Sequence, residues 1–141
     1  MTTTFDFEDG AGPIPAHRHS NGGGWVSDTA YVAPTAFVGP KARVFGSAKV
    51  QDNARVYDHA QVSDHAVVQD NAMVCYYTKV YDYARVCDHA KMYDYARACG
   101  HAVVRGSAWL RGCTLVFDRV VVCGRAEGKD VVLGGDTVMT L

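Results

Sequence analysis

The 141-residue chain has little of most features that announce a function. Only 21% of its residues are charged, and 14 basic residues stand against 15 acidic ones, for a formal net charge of −1. That balance excludes a strongly basic nucleic-acid binder and a strongly acidic mimic of nucleic acid, so nucleic acid is not an expected partner. No apolar run approaches the ~18 residues of a membrane span, so no membrane partner is expected either. The start, MTTTFDFEDG, has neither a basic n-region nor an apolar h-region, which speaks against a secretory signal. No P-loop, no GxGxxG fingerprint and no nucleophile elbow occurs. The 5 cysteines are odd in number and form no CxxC. Such a set argues against a disulfide framework and for a reducing, cytoplasmic setting.

What the chain does have is order. From Gly24 to Val131 it divides into 18 hexads without a frameshift, among them AKVQDN, ARVYDH, AQVSDH, AMVCYY, TKVYDY and AKMYDY. Position 1 is Ala in 14 of them and position 3 is Val in 14, with Met92 and Leu110 in two more. A period of six drifts around a helix of 3.6 residues per turn and leaves no apolar stripe. Ala at position 1 and Val at position 3 instead share one face of a short strand. Asp or Gly at position 5, often followed by Asn, His or Ser, supplies turn chemistry. One strand and one turn every six residues make a polygonal solenoid, in which small residues leave room for Val, Leu and Met to fill a narrow core.

These hexads resemble those of the hexapeptide-repeat, left-handed parallel β-helix proteins. A closer resemblance is to bacterial and phage proteins of no settled activity, which carry a Gly-Gly-Trp-Val-like start before tandem Ala-x-Val-Tyr-(Gly/Asp)-(Asn/Asp) hexads. Gly23, Gly24, Trp25 and Val26 match that start. The resemblance spans Gly24 to about Gly128. It implies an all-β fold, a single-stranded left-handed parallel β-helix of triangular section, with three hexads per coil and about six coils. One departure stands out. In the enzymes of the family Gly, Ala or an acid often directly follows the inward aliphatic residue, whereas Tyr57, Ser63, Gln69, Cys75, Tyr81 and Cys87 occupy that place.

Three segments are expected. Residues 1–23, rich in Gly, Pro and polar residues, read as an irregular arm or cap, with Phe5 and Phe7 suited to cover the open end of the coil. Its H-x-H pair, His17 and His19, reads as part of a mobile loop, and GGGW as a flexible link into the first coil. Residues 24–131 form the β-helix, and 132–141, VLGGDTVMTL, a closing strand or tail.

With three hexads per coil, residues 18 apart stack in columns. One position-6 column reads Thr29, Ser47, His65, Tyr83, His101, Arg119, and a second reads Lys41, His59, Tyr77, Tyr95, Cys113. Beside the second runs the position-4 column Gly39, Tyr57, Cys75, Tyr93, Arg111. Tyr57, His59, Tyr76, Tyr77, Tyr93 and Tyr95 thus gather near one edge, either as an interface or as a ladder that stabilises the solenoid. On another face the position-2 column Tyr31, Lys49, Val67, Arg85, Val103, Val121 is apolar in its second half. Val67, Val103 and Val121 are therefore candidates for self-association. The remaining outward Arg and Lys alternate with position-5 Asp and read as solvated charge.

The family includes acyltransferases and a class of carbonic anhydrases. A zinc hydratase site needs three His ligands around one ion. His65 and His101 are the only weak metal candidates. They lie two coils, ~10 Å, apart, and the position five residues after each is Asp70 or Gly106. An acyltransferase site would need a general-base His and an inserted loop, and the hexads hold no insertion. The expectation is a non-enzymatic scaffold or binding protein without cofactor, a homodimer or homotrimer, encoded by a phage or mobile element and binding a host or virion protein in the host cytosol. The alternative is an acyltransferase-like enzyme with its site between subunits, and a zinc site of the γ-carbonic-anhydrase type ranks below it.

Overall fold

The computed structural model describes residues 3–140. Met1, Thr2 and Leu141, at the outer ends of the two flanking segments, lie outside the described residues. Among the described residues there is no helix, and hence none long and apolar enough to cross a membrane. Each hexad forms a strand at positions 2 and 3, as in Arg55–Val56 and Val67–Val68. Position 3 points inward and position 1 lines the same core, so Val38, Val56, Val74 and Ala36, Ala54, Ala72 are fully buried. Met92 and Leu110 are the largest fully buried side chains, and they stack on each other one coil apart.

The corner that separates strands is built at position 5. Asp52, Asp58, Asp64, Asp70, Asp82, Asp88 and Asp94 all have φ between 55° and 62°, and Gly46, Gly100 and Gly106 share that region. Left-handed backbone excludes most side chains by clash with the carbonyl, and Gly and Asp are the residues that tolerate it. The turn closes when the position-1 N–H donates to the position-4 carbonyl, as from Ala60 to Tyr57 at 3.2 Å.

Between coils the strands pair in parallel with a register of 18. Val67 lies over Lys49 and under Arg85, and Met73 over Arg55 and under Lys91. Three sheets of nine, seven and six strands result, so the chain is a three-sided parallel β-solenoid of about six turns. The corner Asp residues add a second ladder. The Asp82 N–H donates to Asp64 Oδ2 at 3.1 Å, Asp88 to Asp70 at 3.0 Å, and Gly112 to Asp94 at 2.9 Å. From Gly46 to Asp130 position 5 thus needs a residue that accepts left-handed backbone, unlike Asp28, Pro34 and Pro40 of the first coil, and Asp in addition satisfies the corner N–H one coil on.

The first segment is not irregular. β1 (Thr4–Asp6) and β2 (Pro13–Arg18) form an antiparallel hairpin, and β2 pairs antiparallel with β3 (Trp25–Ser27), extending the nine-stranded sheet. Phe5 and Phe7 lie along the side of the solenoid instead of over its open end. Phe5 stacks on Trp25 and Phe7 on Phe45, both outward residues of the nine-stranded face. His17 and His19 belong to no mobile loop. His17 Nδ1 is 2.7 Å from Asp28 Oδ1, and buried His19 Nε2 is 2.8 Å from the Ala36 carbonyl oxygen, so they do not act as a pair. The GGGW run is not a flexible link either. The Gly24 N–H donates to the Val38 carbonyl at 2.9 Å, and a Cβ on Gly22 would stand 2.2 Å from that oxygen.

The last segment is more than a single closing strand. Leu115 pairs with Val132 and Val121 with Val138, a register of 17 in place of 18. The hexad AEGKD lacks its sixth residue, so Val131 takes position 1 and Val132–Leu133 the strand. Val138–Thr140 follows as another strand. One deleted residue hides one more hexad, 131–136, and the start of another from the strict period of six.

Candidate functional site

The six-stranded sheet runs through Phe37–Val38, Arg55–Val56, Met73–Val74, Lys91–Met92, Trp109–Arg111 and Glu127–Lys129. Its corner toward the nine-stranded sheet carries Tyr57, His59, Tyr76, Tyr77, Tyr93 and Tyr95. The structure brings these together and then divides them by geometry.

His59, Tyr77 and Tyr95 are one stack. Their rings are 4.9 and 5.3 Å apart and nearly parallel, at 4° and 7°. A second stack, His65–Tyr83–His101, has spacings of 4.9 and 5.0 Å at 5° and 9°. The coil repeat of a parallel sheet, ~4.8 Å, imposes this packing on any column of flat side chains. Each inner ring spends both faces on its neighbours and offers only its edge to solvent. The ladders therefore stabilise the rod and leave little ring face for a ligand.

Tyr76, Tyr93 and Trp109 do the opposite. Tyr76 and Tyr93 are 6.4 Å apart and inclined at 52°, and Tyr93 and Trp109 are 6.1 Å apart at 73°. They climb the corner as a staircase of inclined rings, none stacked flat on the next. The Lys91 ammonium sits 5.3 Å over the Trp109 ring. Tyr76 is 51% exposed and Trp109 40%.

Tyr76 also breaks the rule of its position. Its φ is 57°, and it is the only non-Gly, non-Asp residue of the repeat with left-handed backbone. For a bulky residue this costs about 1–2 kcal/mol. Tyr76 further deprives the Asp94 N–H of the carboxylate that the corner column supplies elsewhere. Strain held at an exposed position is the kind found at functional sites.

Next to the staircase the same face is concave. A hollow of about 1030 Å³ is lined by Phe37, Arg55, Tyr57 and Met73, with Asn21, Asn53 and Asn71 at its rim. Tyr57 is half-buried, and burial first, then hydrogen bonding with the Cys75 thiol, pushes its pKa up to about 12. It stays a neutral phenol. Arg55 lies within ion-pair distance of no carboxylate among the described residues, whereas Arg111 on the same face pairs with Glu127.

Val67, Val103 and Val121 sit elsewhere, on the seven-stranded face, in one column with Val138, which is 62% exposed. A groove of about 300 Å³ there is bordered by the His65–Tyr83–His101 ladder.

His65 and His101 have the Tyr83 ring between them, so within one chain they cannot share an ion. Asp70, Cys87 and Asp88 bring ligand-type atoms within 4.8 Å of one another, a grouping that the sequence did not suggest. Both carboxylates already accept corner N–H groups, from Asp88 and Gly106. Burial, then the Asp88 and Asp70 charges, raises the Cys87 pKa and disfavours the thiolate that a metal needs. All 5 cysteines are free.

Phe37, Arg55, Met73 and Trp109 are the members of this surface that the edge cluster did not anticipate. Their signal is a single column, Phe37–Arg55–Met73–Lys91–Trp109, in which apolar residues alternate with cations, where the matching column of the nine-stranded face reads Arg43, Gln61, Lys79, Arg97 without an apolar residue between Trp25 and Leu115. Comparisons of the chain with protein-family models, with curated proteins and with solved structures gave no match in any of the three.

Proposed function

We propose that the protein is a non-enzymatic binding scaffold whose working surface is the six-stranded face, with a protein as its partner. Interfaces between proteins are enriched in Tyr, Trp, Phe, Met and Arg, and their binding energy concentrates in Tyr, Trp and Arg. The face assembles this set on a rigid solenoid. Tyr76 carries the reading: an exposed aromatic is kept where the repeat from Gly46 onward otherwise uses Asp or Gly, at a cost in stability that packing does not explain.

A random library of displayed twelve-residue peptides tests it. Peptides enriched on the native protein should be lost on Tyr76→Asp, a substitution that installs the repeat's own corner residue. Equal enrichment on both proteins would refute the assignment of the surface.

Self-association belongs to the same proposal, through the seven-stranded face. Val103 and Val121 continue into Val138, with Val67 beyond Arg85 in the same column, and a second copy would cover these valines. Sedimentation velocity should show a dimer or trimer for the native chain and a monomer for Val103→Lys/Val121→Lys. A native monomer at all concentrations would contradict it. Membership in the left-handed hexapeptide-repeat proteins, a phage or mobile-element source, and action on a host or virion protein in the cytosol extend the proposal. They rest on the six-residue period, the Gly23–Val26 start and the free thiols.

A further inference from the structure

We infer that the partner presents an extended peptide segment with one acidic side chain between apolar residues, and that the carboxylate is received by Arg55. This rests on the reading of the six-stranded face as a protein-binding surface and adds the chemistry of what binds.

Arg55 stands in the middle of the hollow, between Phe37 below and Met73 above in one column. It is the only charged residue lining that space. A guanidinium there, with no carboxylate at ion-pair distance among the described residues, is an open two-toothed donor for a planar anion. The flanking Phe37 and Met73 fit apolar side chains on either side of that anion. Asn53 and Asn71, exposed at the rim and one coil apart, each offer an amide donor and acceptor to a peptide backbone. Tyr57 remains protonated and adds a hydroxyl at the inner wall.

The same surroundings disfavour a nucleic acid. Asp52, Asp70 and Asp88 line one edge of the face, and Asp58 and Asp94 the other. A continuous phosphate chain would run against both rows. A peptide with one acidic side chain needs only the cation in the hollow, and its backbone brings no further charge against the two rows.

The test uses the full chain and the twelve-residue peptide library, sorted by sequencing. Peptides retained by the native protein should be enriched in a single Asp or Glu with apolar neighbours. The synthetic form of the best one should bind Arg55→Gln about tenfold more weakly. On Arg55→Glu the selection should turn to peptides with Lys or Arg at that place. Lys79→Glu, on the nine-stranded face, should leave affinity and selection unchanged. Peptides that depend on Tyr76 yet show no acidic preference, or bind Arg55→Gln equally, would overturn this inference while leaving the binding surface standing. A selection that yields no Tyr76-dependent peptide would overturn both. Displacement of the best peptide by a twelve-residue thymidine oligonucleotide at similar concentration would also overturn it, in favour of a nucleic-acid groove.

Discussion

Two aromatic groups share one corner of this molecule and do opposite things. In the ladder His59–Tyr77–Tyr95 the rings lie within 7° of parallel, one per coil. In the staircase Tyr76–Tyr93–Trp109 they are inclined at 52° and 73°. Each has two tyrosines and one other ring, His59 in the ladder and Trp109 in the staircase, so tyrosine content does not separate them. Position in the hexad does. A position-6 side chain is repeated in register by the coil and must stack. The staircase draws on positions 5, 4 and 2 of three successive coils, so its rings cannot align. What the solenoid repeats becomes structure, and what breaks the repeat is left free to bind.

The sharpest way to break this contrast is to remove a ring from each group. Trp109→Ala should weaken a peptide selected on the native protein by 30-fold or more, about 2 kcal/mol, with little change in unfolding midpoint. Fluorescence anisotropy and urea unfolding would read the two quantities. The ladder should answer in reverse. Tyr83→Ser interrupts the second stack, His65–Tyr83–His101, and should lower stability by about 1–2 kcal/mol while peptide affinity stays as it was. A ladder variant that lost binding, or a Trp109 variant that lost only stability, would merge the two classes.

A smaller effect sharpens the comparison at the Tyr–Cys contacts. Burial and the Cys75 thiol push Tyr57 up to about 12, and the Cys99 thiol, then burial, does the same for Tyr81. A phenol with a raised folded-state pKa contributes stability that is whole below about 10 and is lost as pH rises through about 12. Stability should therefore fall between those values, and the fall should shrink in Tyr57→Phe/Tyr81→Phe. Ultraviolet titration of the 8 tyrosines should show Tyr57 and Tyr81 ionising late, together with Tyr93, which burial also pushes up. An unchanged alkaline limb in the double variant would remove these two phenols from the account.

Much of the fold was legible from the repeat, because strand, turn and inward residue each have a fixed place in six residues. The columns were legible too, since the strand pairs and the ring ladders of the repeat follow from stacking 18 residues apart. The ends were not. Hairpin β1–β2 is held by Phe5 on Trp25 and Phe7 on Phe45, contacts that join an unrepeated segment to the repeat. The coil beyond Asp130 was hidden by one missing residue. At the site, the sequence gathered six aromatic residues but had no means to distinguish stacked rings from inclined ones. It also gave no sign that corner Asp residues bind the next coil, as Asp64 does Asp82, beyond carrying charge and turning the chain. That role is what makes Tyr76 an exception.

Equilibrium urea unfolding of Tyr76→Asp beside the native protein tests the central claim most directly. Replacing a strained tyrosine with the residue that the corner column favours keeps the left-handed backbone but fills it with a residue that tolerates it, and restores an acceptor for the Asp94 N–H. The account predicts a gain of about 1 kcal/mol together with loss of peptide binding. A variant that is less stable than the native protein, or that binds peptide as well, would contradict it.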